Sequence, residues 1–180
     1  RRSGNEFLYQ ILSRENIDTL QETFGTRGVK KVVVTCPHCF TTIGRDYKQQ
    51  GFELQMLHHT QLLNQLVKEG RLKPIAPAIS DAKKLTYHDP CYLGRHNQIY
   101  EPPRELLESA GVEVSEMPRN QERSFCCGAG GGRMWMEEKI GSRINLNRVD
   151  EAIATGAGEV AVGCPFCRVM ISDGMVAKQS

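Results

Sequence analysis

"KKVVVTCPHCF", residues 30–40, runs three valines into a pair of cysteines spaced CPxC, and "EVAVGCPFCR", residues 159–168, runs two valines into another such pair near the other end of the chain. Each run of β-branched residues predicts a short buried strand that delivers two thiols to its carboxyl end. Working outward, "ILSRENIDTLQETFGTRGVKKVVVTCPHC" (11–39) lies over "IGSRINLNRVDEAIATGAGEVAVGCPFC" (140–167). Ile11, Ser13 and Arg14 match Ile140, Ser142 and Arg143; then a helical stretch, a glycine-containing turn, a valine strand and CPxC follow in both, with one residue of slippage. The chain therefore contains an internal repeat.

The second copy also carries an adjacent pair, Cys126-Cys127. The repeat offset is 128 residues at the CPxC and 129 at the Ser-Arg pair, so the partner of that pair would fall two or three positions before Arg1. The sequence thus reads as the tail of a longer protein: a truncated first repeat (1–72), a connector (73–83) within "LKPIAPAISDAKK" (72–84), and a complete second repeat (84–180).

The rest of the pattern alternates strands with helices. "ELQMLHH" predicts a strand, and Thr60 is placed to cap the helix "QLLNQLVKEG", with Gly70 near its end. "KLTYHD" predicts the next strand, "PPRELLESAG" has prolines at a helix start and a glycine at its end, and "VEVSEM" reads as a further short strand. This order predicts an α/β fold of two related repeats, each with a short parallel sheet and flanking helices, with ligand residues at the strand carboxyl ends.

Composition narrows the function classes. Of 180 residues 39% are apolar and 24% charged, an ordinary globular balance. The 23 basic and 21 acidic residues are interspersed, so no basic face for nucleic acid is implied. Apolar runs such as Val32 to Val34 fall far short of the roughly 20 residues needed to cross a bilayer.

Seven cysteines, at 36, 39, 91, 126, 127, 164 and 167, carry the chemistry. An odd count without a secretory signal argues against a disulfide framework. In the second repeat Cys91 is followed by 34 residues, Cys126-Cys127, 36 residues, and then Cys164 and Cys167. A structural zinc site takes four ligands and leaves one of these five thiols idle. A redox dithiol needs one CxxC alone. Adjacent cysteines cannot easily bind one metal with both sulfurs, but they can reach two neighbouring irons, which favours a multinuclear iron–sulfur centre. Gly128, Gly130, Gly131 and Gly132 permit close backbone approach and can turn amide N–H groups towards sulfur. The stretch "RMWMEEKIGSRINLNRVDEA" that follows predicts a helix whose N-terminus adds positive partial charge there.

"HDPCYLGR", "FCCGAGGG" and "GCPFCRVM" resemble the cysteine-rich CCG domain of heterodisulfide reductase catalytic subunits and their relatives, over roughly residues 84 to 170. The resemblance implies an iron–sulfur cluster of 4Fe-4S type bound by Cys91, Cys126, Cys127, Cys164 and Cys167, which in the best-understood members is a noncubane arrangement of two fused units. Cys36 and Cys39 match the last two ligands of a first such cluster, whose completion requires cysteines upstream of this chain. "HHTQLL", "TYHDPCYLGRHNQIYEPPREL" and "GGGRMWMEEKIGSRIN" are similar to heterodisulfide reductase-related iron–sulfur reductases of bacteria. That similarity implies an oxidoreductase taking electrons from an electron-transfer flavoprotein towards quinone, with a membrane part and ferredoxin-type motifs missing here and this portion on the cytoplasmic side. A disulfide-reducing catalytic subunit and a structural zinc module are the alternatives.

Near Cys91, His88 and Arg95 are candidates for proton donation or for holding an anion, while Asp89 reads as a turn former before Pro90. His58 and His59 read as residues of a strand-to-helix junction, Met134, Trp135 and Met136 as core packing, and Arg133 as either a charge partner of the cluster or a solvated side chain.

Overall fold

A computed structural model of the chain describes residues 1–25, 28, 31–75 and 84–179. Residues 76–83, which make up most of the expected connector, lie outside the described residues.

The first repeat opens with α1 (Glu6–Phe24), started by the Asn5 side chain, which accepts a hydrogen bond from Leu8 N at 2.9 Å. Strand β1 (Lys31–Val34) leads to Cys36 and then α2 (Pro37–Thr41), where Pro37 takes the first-turn position in which its missing N–H costs nothing. A π turn (Thr42–Asp46) and a 3₁₀ turn (Tyr47–Gln50) prolong α2 until Gly51 ends the run at φ 78°. Strand β2 (Gln55–His58) then pairs in parallel with β1, Lys31 opposite Gln55 and Val34 opposite His58, and runs directly into α3 (His59–Lys68). Thr60 does not cap this helix. The backbone N–H of His58 instead donates to Gln61 Oε1 at 3.0 Å, and the Thr60 hydroxyl is engaged by the His58 ring.

The rest of the chain builds a second parallel pair in a different order, with the strand that leads to CPxC coming last. Strand β3 (Leu85–His88) ends before Cys91, the short α4 (Gly94–Asn97) follows, and α5 (Glu101–Ser109) begins with Pro102 and Pro103 and stops just before Gly111. The expected "VEVSEM" strand shrinks to a single parallel bridge between Leu85 and Val114. Helix α6 (Ile144–Ala154) precedes β4 (Glu159–Val162), which pairs in parallel with β3, and α7 (Pro165–Gln179) carries the second CPxC at its start. Two two-stranded parallel sheets with flanking helices confirm the α/β class.

The helix expected directly after the glycine loop begins later than its sequence implies. Gly131 and Gly132 take left-handed angles that interrupt it, residues 130–135 form 3₁₀ turns, and regular helix starts only at Ile144. Trp135 is consequently 80% exposed and Met136 is exposed too; of the three residues expected in the core, only Met134 packs inward.

The first-repeat core gathers Ile17, Tyr47 and Phe52, flanked by Tyr9, Leu20, Ile43 and Leu54. In the second repeat Leu93, Met117 and Val149 are fully buried, and α6 packs on α7. Helix α3 of the first repeat lies against α5 of the second, where Lys68 pairs with Glu105 at 2.7 Å.

Candidate metal centre

The seven thiols form one chain of neighbours near the carboxyl ends of the strands. Contacts run from Cys91 to Cys126, from Cys126 to its neighbour Cys127, from Cys127 to Cys167 and from Cys167 to Cys164. They then cross to the first repeat, from Cys164 to Cys36 and from Cys36 to Cys39. None is in a disulfide. Cys127, Cys164 and Cys167 are buried with Ala129, under Met134, Val162, Phe166 and Met170, whereas Cys39 stands exposed.

The parallel sheets explain this placement. Both CPxC pairs leave the carboxyl end of a strand and enter a helix through proline, so the first cysteine lies in the connecting turn and the second on the first helical turn. Cys91 leaves the carboxyl end of β3, beside β4, and Cys126-Cys127 approach on a separate loop.

The loop geometry matches the expectation for its first glycine. Gly128, at φ 91°, directs its N–H to Cys126 Sγ at 3.2 Å. A side chain there would also crowd Ile144 Cβ at 3.2 Å and Met170 Cε at 3.4 Å, so conformation and space both require glycine. Gly131 shares the left-handed region, but Gly130 does not, and nothing within 4 Å would oppose a Cβ on it.

The packed thiols divide their protons unequally. The neighbouring thiols of Cys127 and Cys91 hold Cys126 well below the ordinary thiol range, and those of Cys164 and Cys39 do the same to Cys36. Cys127, Cys91, Cys39 and Cys167 shift the other way, raised by their neighbouring sulfurs. A metal or cluster would displace those shared protons, since thiolates are the ligating form.

Histidines surround the sulfurs. His88, 1% exposed at the end of β3, lies so that its ring nitrogen and the sulfurs of Cys127 and Cys167 are all within 4.8 Å of one another. Burial, with Arg148 beside it, pulls His88 down to about 3. His38 lies tilted against Tyr92 at 4.2 Å and meets Phe166 edge-on at 5.2 Å. Burial opposes its charge, but hydrogen bonds with Cys164 and Cys36 outweigh this and raise it to about 9. His58 ties the repeats together: Nε2 lies 3.3 Å from Thr35 O and 3.0 Å from Gly163 O, the carbonyls just before Cys36 and Cys164, and Nδ1 is 2.8 Å from Thr60 Oγ1.

The remaining candidates sit further out. Arg95 is exposed and donates to the carbonyl of Ser124, at the entrance to the Cys126-Cys127 loop. Asp89 is more than a turn former, because it forms a buried bidentate pair with Arg104 at 2.8 and 2.9 Å and accepts from Gln121 N at 2.9 Å. Arg133 pairs with Glu138 at 2.6 Å instead of facing the thiols.

Sequence reasoning overlooked Arg148, the largest fully buried side chain among the described residues. Its signal was present: Asn145, Arg148, Val149 and Ala152 form the buried stripe of α6 at helical spacing, and an arginine on such a stripe needs a partner. A cleft of 220 Å³ beside the sulfurs is lined by Arg2, His38, Ala129, Met134, Trp135 and Phe166, among others, and so draws on both repeats. No helix among the described residues is long and apolar enough to cross a membrane.

Comparison with known proteins adds relatives to this geometry. The chain is 45% identical over 181 residues to a probable iron-sulfur-binding oxidoreductase, FadF, of Bacillus subtilis (strain 168), covering all of this chain and 25% of that protein. It is also 45% identical over 187 residues to the EtfAB:quinone oxidoreductase of Syntrophomonas wolfei, again covering all of this chain and 25% of the relative. Against a subunit of the dihydromethanophenazine:CoB--CoM heterodisulfide reductase of Methanosarcina barkeri (strain Fusaro) it is 37% identical over 173 residues, covering 94% of this chain and 41% of the relative. The chain thus spans about a quarter of the length of the first two relatives. Residues 1–44 and 85–172 match the cysteine-rich CCG domain, the two segments that hold all seven cysteines, and the chain belongs to that family.

Proposed function

We propose that this chain is the cluster-holding portion of an iron–sulfur oxidoreductase, with Cys91, Cys126, Cys127, Cys164 and Cys167 holding a cluster of 4Fe-4S type in noncubane form. The observation that carries this reading is the unbroken run of unoxidised thiols from three loops of the second repeat. Their chemistry fits: five sulfur donors exceed the needs of a single zinc, and adjacent cysteines serve two metals better than one. The buried Nε2 of His88, without a partner among the described residues, and the Gly128 N–H aimed at Cys126 are donors suited to an anionic sulfur centre.

When bound, the cluster supplies one-electron redox capacity. The chain's own part is to fix the sulfurs on strand ends, to exclude water through Met134, Val162, Phe166 and Met170, and to offer N–H groups to the sulfurs. Cys36 and Cys39 are assigned to a first-repeat cluster completed by upstream cysteines. Their contact with Cys164 would place the two centres close enough for direct electron exchange. In this reading, supported by the activity named for the Syntrophomonas relative, electrons arrive from an electron-transfer flavoprotein and leave towards quinone. Attachment of the full-length protein to the cell membrane, with this portion on the cytoplasmic side, is part of the same proposal and is supported by a further relative, a probable membrane-anchored ferredoxin.

A second reading, disulfide reduction, is favoured by the heterodisulfide reductase relative and by the cleft over Ala129, Met134 and Phe166, which pack against Cys127, Cys164 and Cys167. The test is iron, zinc and acid-labile sulfide content of the anaerobically reconstituted chain, with an electron paramagnetic resonance spectrum on the same sample. Iron and sulfide that disappear on Cys127→Ser support the cluster; stoichiometric zinc without sulfide overturns it. Turnover of a disulfide, as against oxidation of reduced flavoprotein, separates the two activities.

A further inference from the structure

We propose that His88 is a hydrogen-bond donor to sulfur at this centre, locked in one tautomer by the buried Arg148, and is not a metal ligand. The inference rests on the cluster reading above and adds to it a function for two buried side chains. By proximity alone His88, Cys127 and Cys167 make a plausible three-ligand metal site, their ligand atoms within 4.8 Å of one another. The hydrogen bond on the other side of the ring decides otherwise.

Arg148 Nε donates to His88 Nδ1 at 2.9 Å, and both side chains are sealed from water, at 0% and 1% exposure. Arg148 has no freedom to turn away. Its Nη1 donates to the carbonyl of Arg119 at 2.8 Å and to Glu151 Oε2 at 2.6 Å. A guanidinium Nε always carries its hydrogen and never accepts, so Nδ1 must present its lone pair to Arg148. The proton of the neutral ring therefore sits on Nε2, the atom with no partner among the described residues. Binding a metal through Nε2 would require that proton to move to Nδ1, setting two N–H donors against each other across 2.9 Å in a dry pocket.

The same arrangement gives Nε2–H a use. Nε2 is the ring nitrogen left unpartnered among the described residues, the sulfurs of Cys127 and Cys167 lie within 4.8 Å of a nitrogen of this ring, and a fixed positive charge stands against the opposite nitrogen. Hydrogen bonds to cluster sulfurs favour the reduced, more negative state and raise the reduction potential. All metal ligands in the second repeat are then sulfur, and His88 with Arg148 sets the potential from behind them.

The experiment uses the 180-residue chain reconstituted with iron and sulfide and labelled with ¹⁵N-histidine. Pulsed electron paramagnetic resonance is expected to show only the weak nitrogen coupling of a hydrogen-bonded ring. His88→Leu is expected to retain iron and sulfide while its reduction equilibrium falls about tenfold, about 59 mV for a one-electron couple. His88→Gln, which keeps an N–H donor, is expected to recover part of that shift. Strong coupling to a directly bound histidine nitrogen, or loss of iron from a His88→Leu chain whose circular dichroism is unchanged, overturns the proposal. If His88→Leu does not fold, the nitrogen spectrum of a labelled His38→Phe chain, which removes the other histidine hydrogen-bonded to these cysteines, decides alone. A wild-type chain that takes up no iron and sulfide overturns the cluster reading and this inference together, whereas cluster uptake with a ligated histidine overturns this inference only.

Discussion

Replacing His58 by phenylalanine tests whether one imidazole holds the two CPxC loops together. The substitution keeps a ring of similar size in a fully buried position but removes both nitrogens. Gly163 O and Thr60 Oγ1 then lose their partner away from water, at about 1–3 kcal/mol for each group left unsatisfied. Thr35 occupies an exposed position, so water replaces the imidazole on its carbonyl. The expected loss for the reduced, metal-free chain is about 2–6 kcal/mol at about pH 7.5, read as a lower urea midpoint. The loss must also depend on pH. Burial, together with the neighbouring His59 whose ring centroid is 4.3 Å away, pulls His58 from 6.5 to about 4. Between those values the unfolded chain binds more protons, so wild-type stability is complete above pH 6.5 and is lost as pH falls towards 4. This loss is about 2 kcal/mol by pH 5 and at most about 3 kcal/mol. His58→Phe lacks the effect, while the other histidines titrate in both proteins. The gap between wild type and variant should therefore narrow from pH 7.5 to pH 5. A gap below about 0.5 kcal/mol at pH 7.5, or one that stays constant down to pH 5, would refute the clasp.

Three further outcomes are expected. Arg104→Met leaves the buried Asp89 carboxylate without its bidentate partner and should cost about 3–5 kcal/mol in urea unfolding; a cost under about 1 kcal/mol would show that the pair is dispensable. Gly128→Ala puts a Cβ at φ 91° against Ile144, so the chain should lose about 1–2 kcal/mol and retain less iron on reconstitution, with unchanged iron loading as the contrary result. Trp135→Ser removes an exposed ring and should change stability by no more than about 0.5 kcal/mol, while a blue-shifted wild-type tryptophan emission would contradict its exposure.

The valine runs and prolines around the two CPxC pairs made the parallel strands, the helix starts and the cysteine-bearing ends readable, because those signals are local. Gly111 and the Pro102-Pro103 start of α5 were equally legible. The late start of α6 was not, since "RMWMEEKIGSRIN" contains good helix formers and only the backbone angles at Gly131 and Gly132 show the interruption. The "VEVSEM" segment has strand composition but finds only Leu85 to bridge to, which is a tertiary outcome. For the site, spacing named the thiols, yet it could not reveal that Cys36 meets Cys164 or that Arg148 stands behind His88, because those contacts join residues 128 and 60 positions apart. Asp89 was assigned from its neighbour Pro90, and its partner Arg104 arrives from another element.

The two parallel sheets differ in how much chain each must close. Pairing β1 with β2 joins residues 24 positions apart, whereas β3 meets β4 across 74. Chain entropy makes the longer closure costlier by about 1 kcal/mol and slower to find. Cys91 and Cys164 leave the ends of that later pair, so the thiol pocket is among the last parts of the chain to assemble. During that interval the cysteines are unshielded and free to combine in wrong pairs. Maturation of the centre is thus a race between strand closure and oxidation, and reducing conditions are needed during folding as well as afterwards.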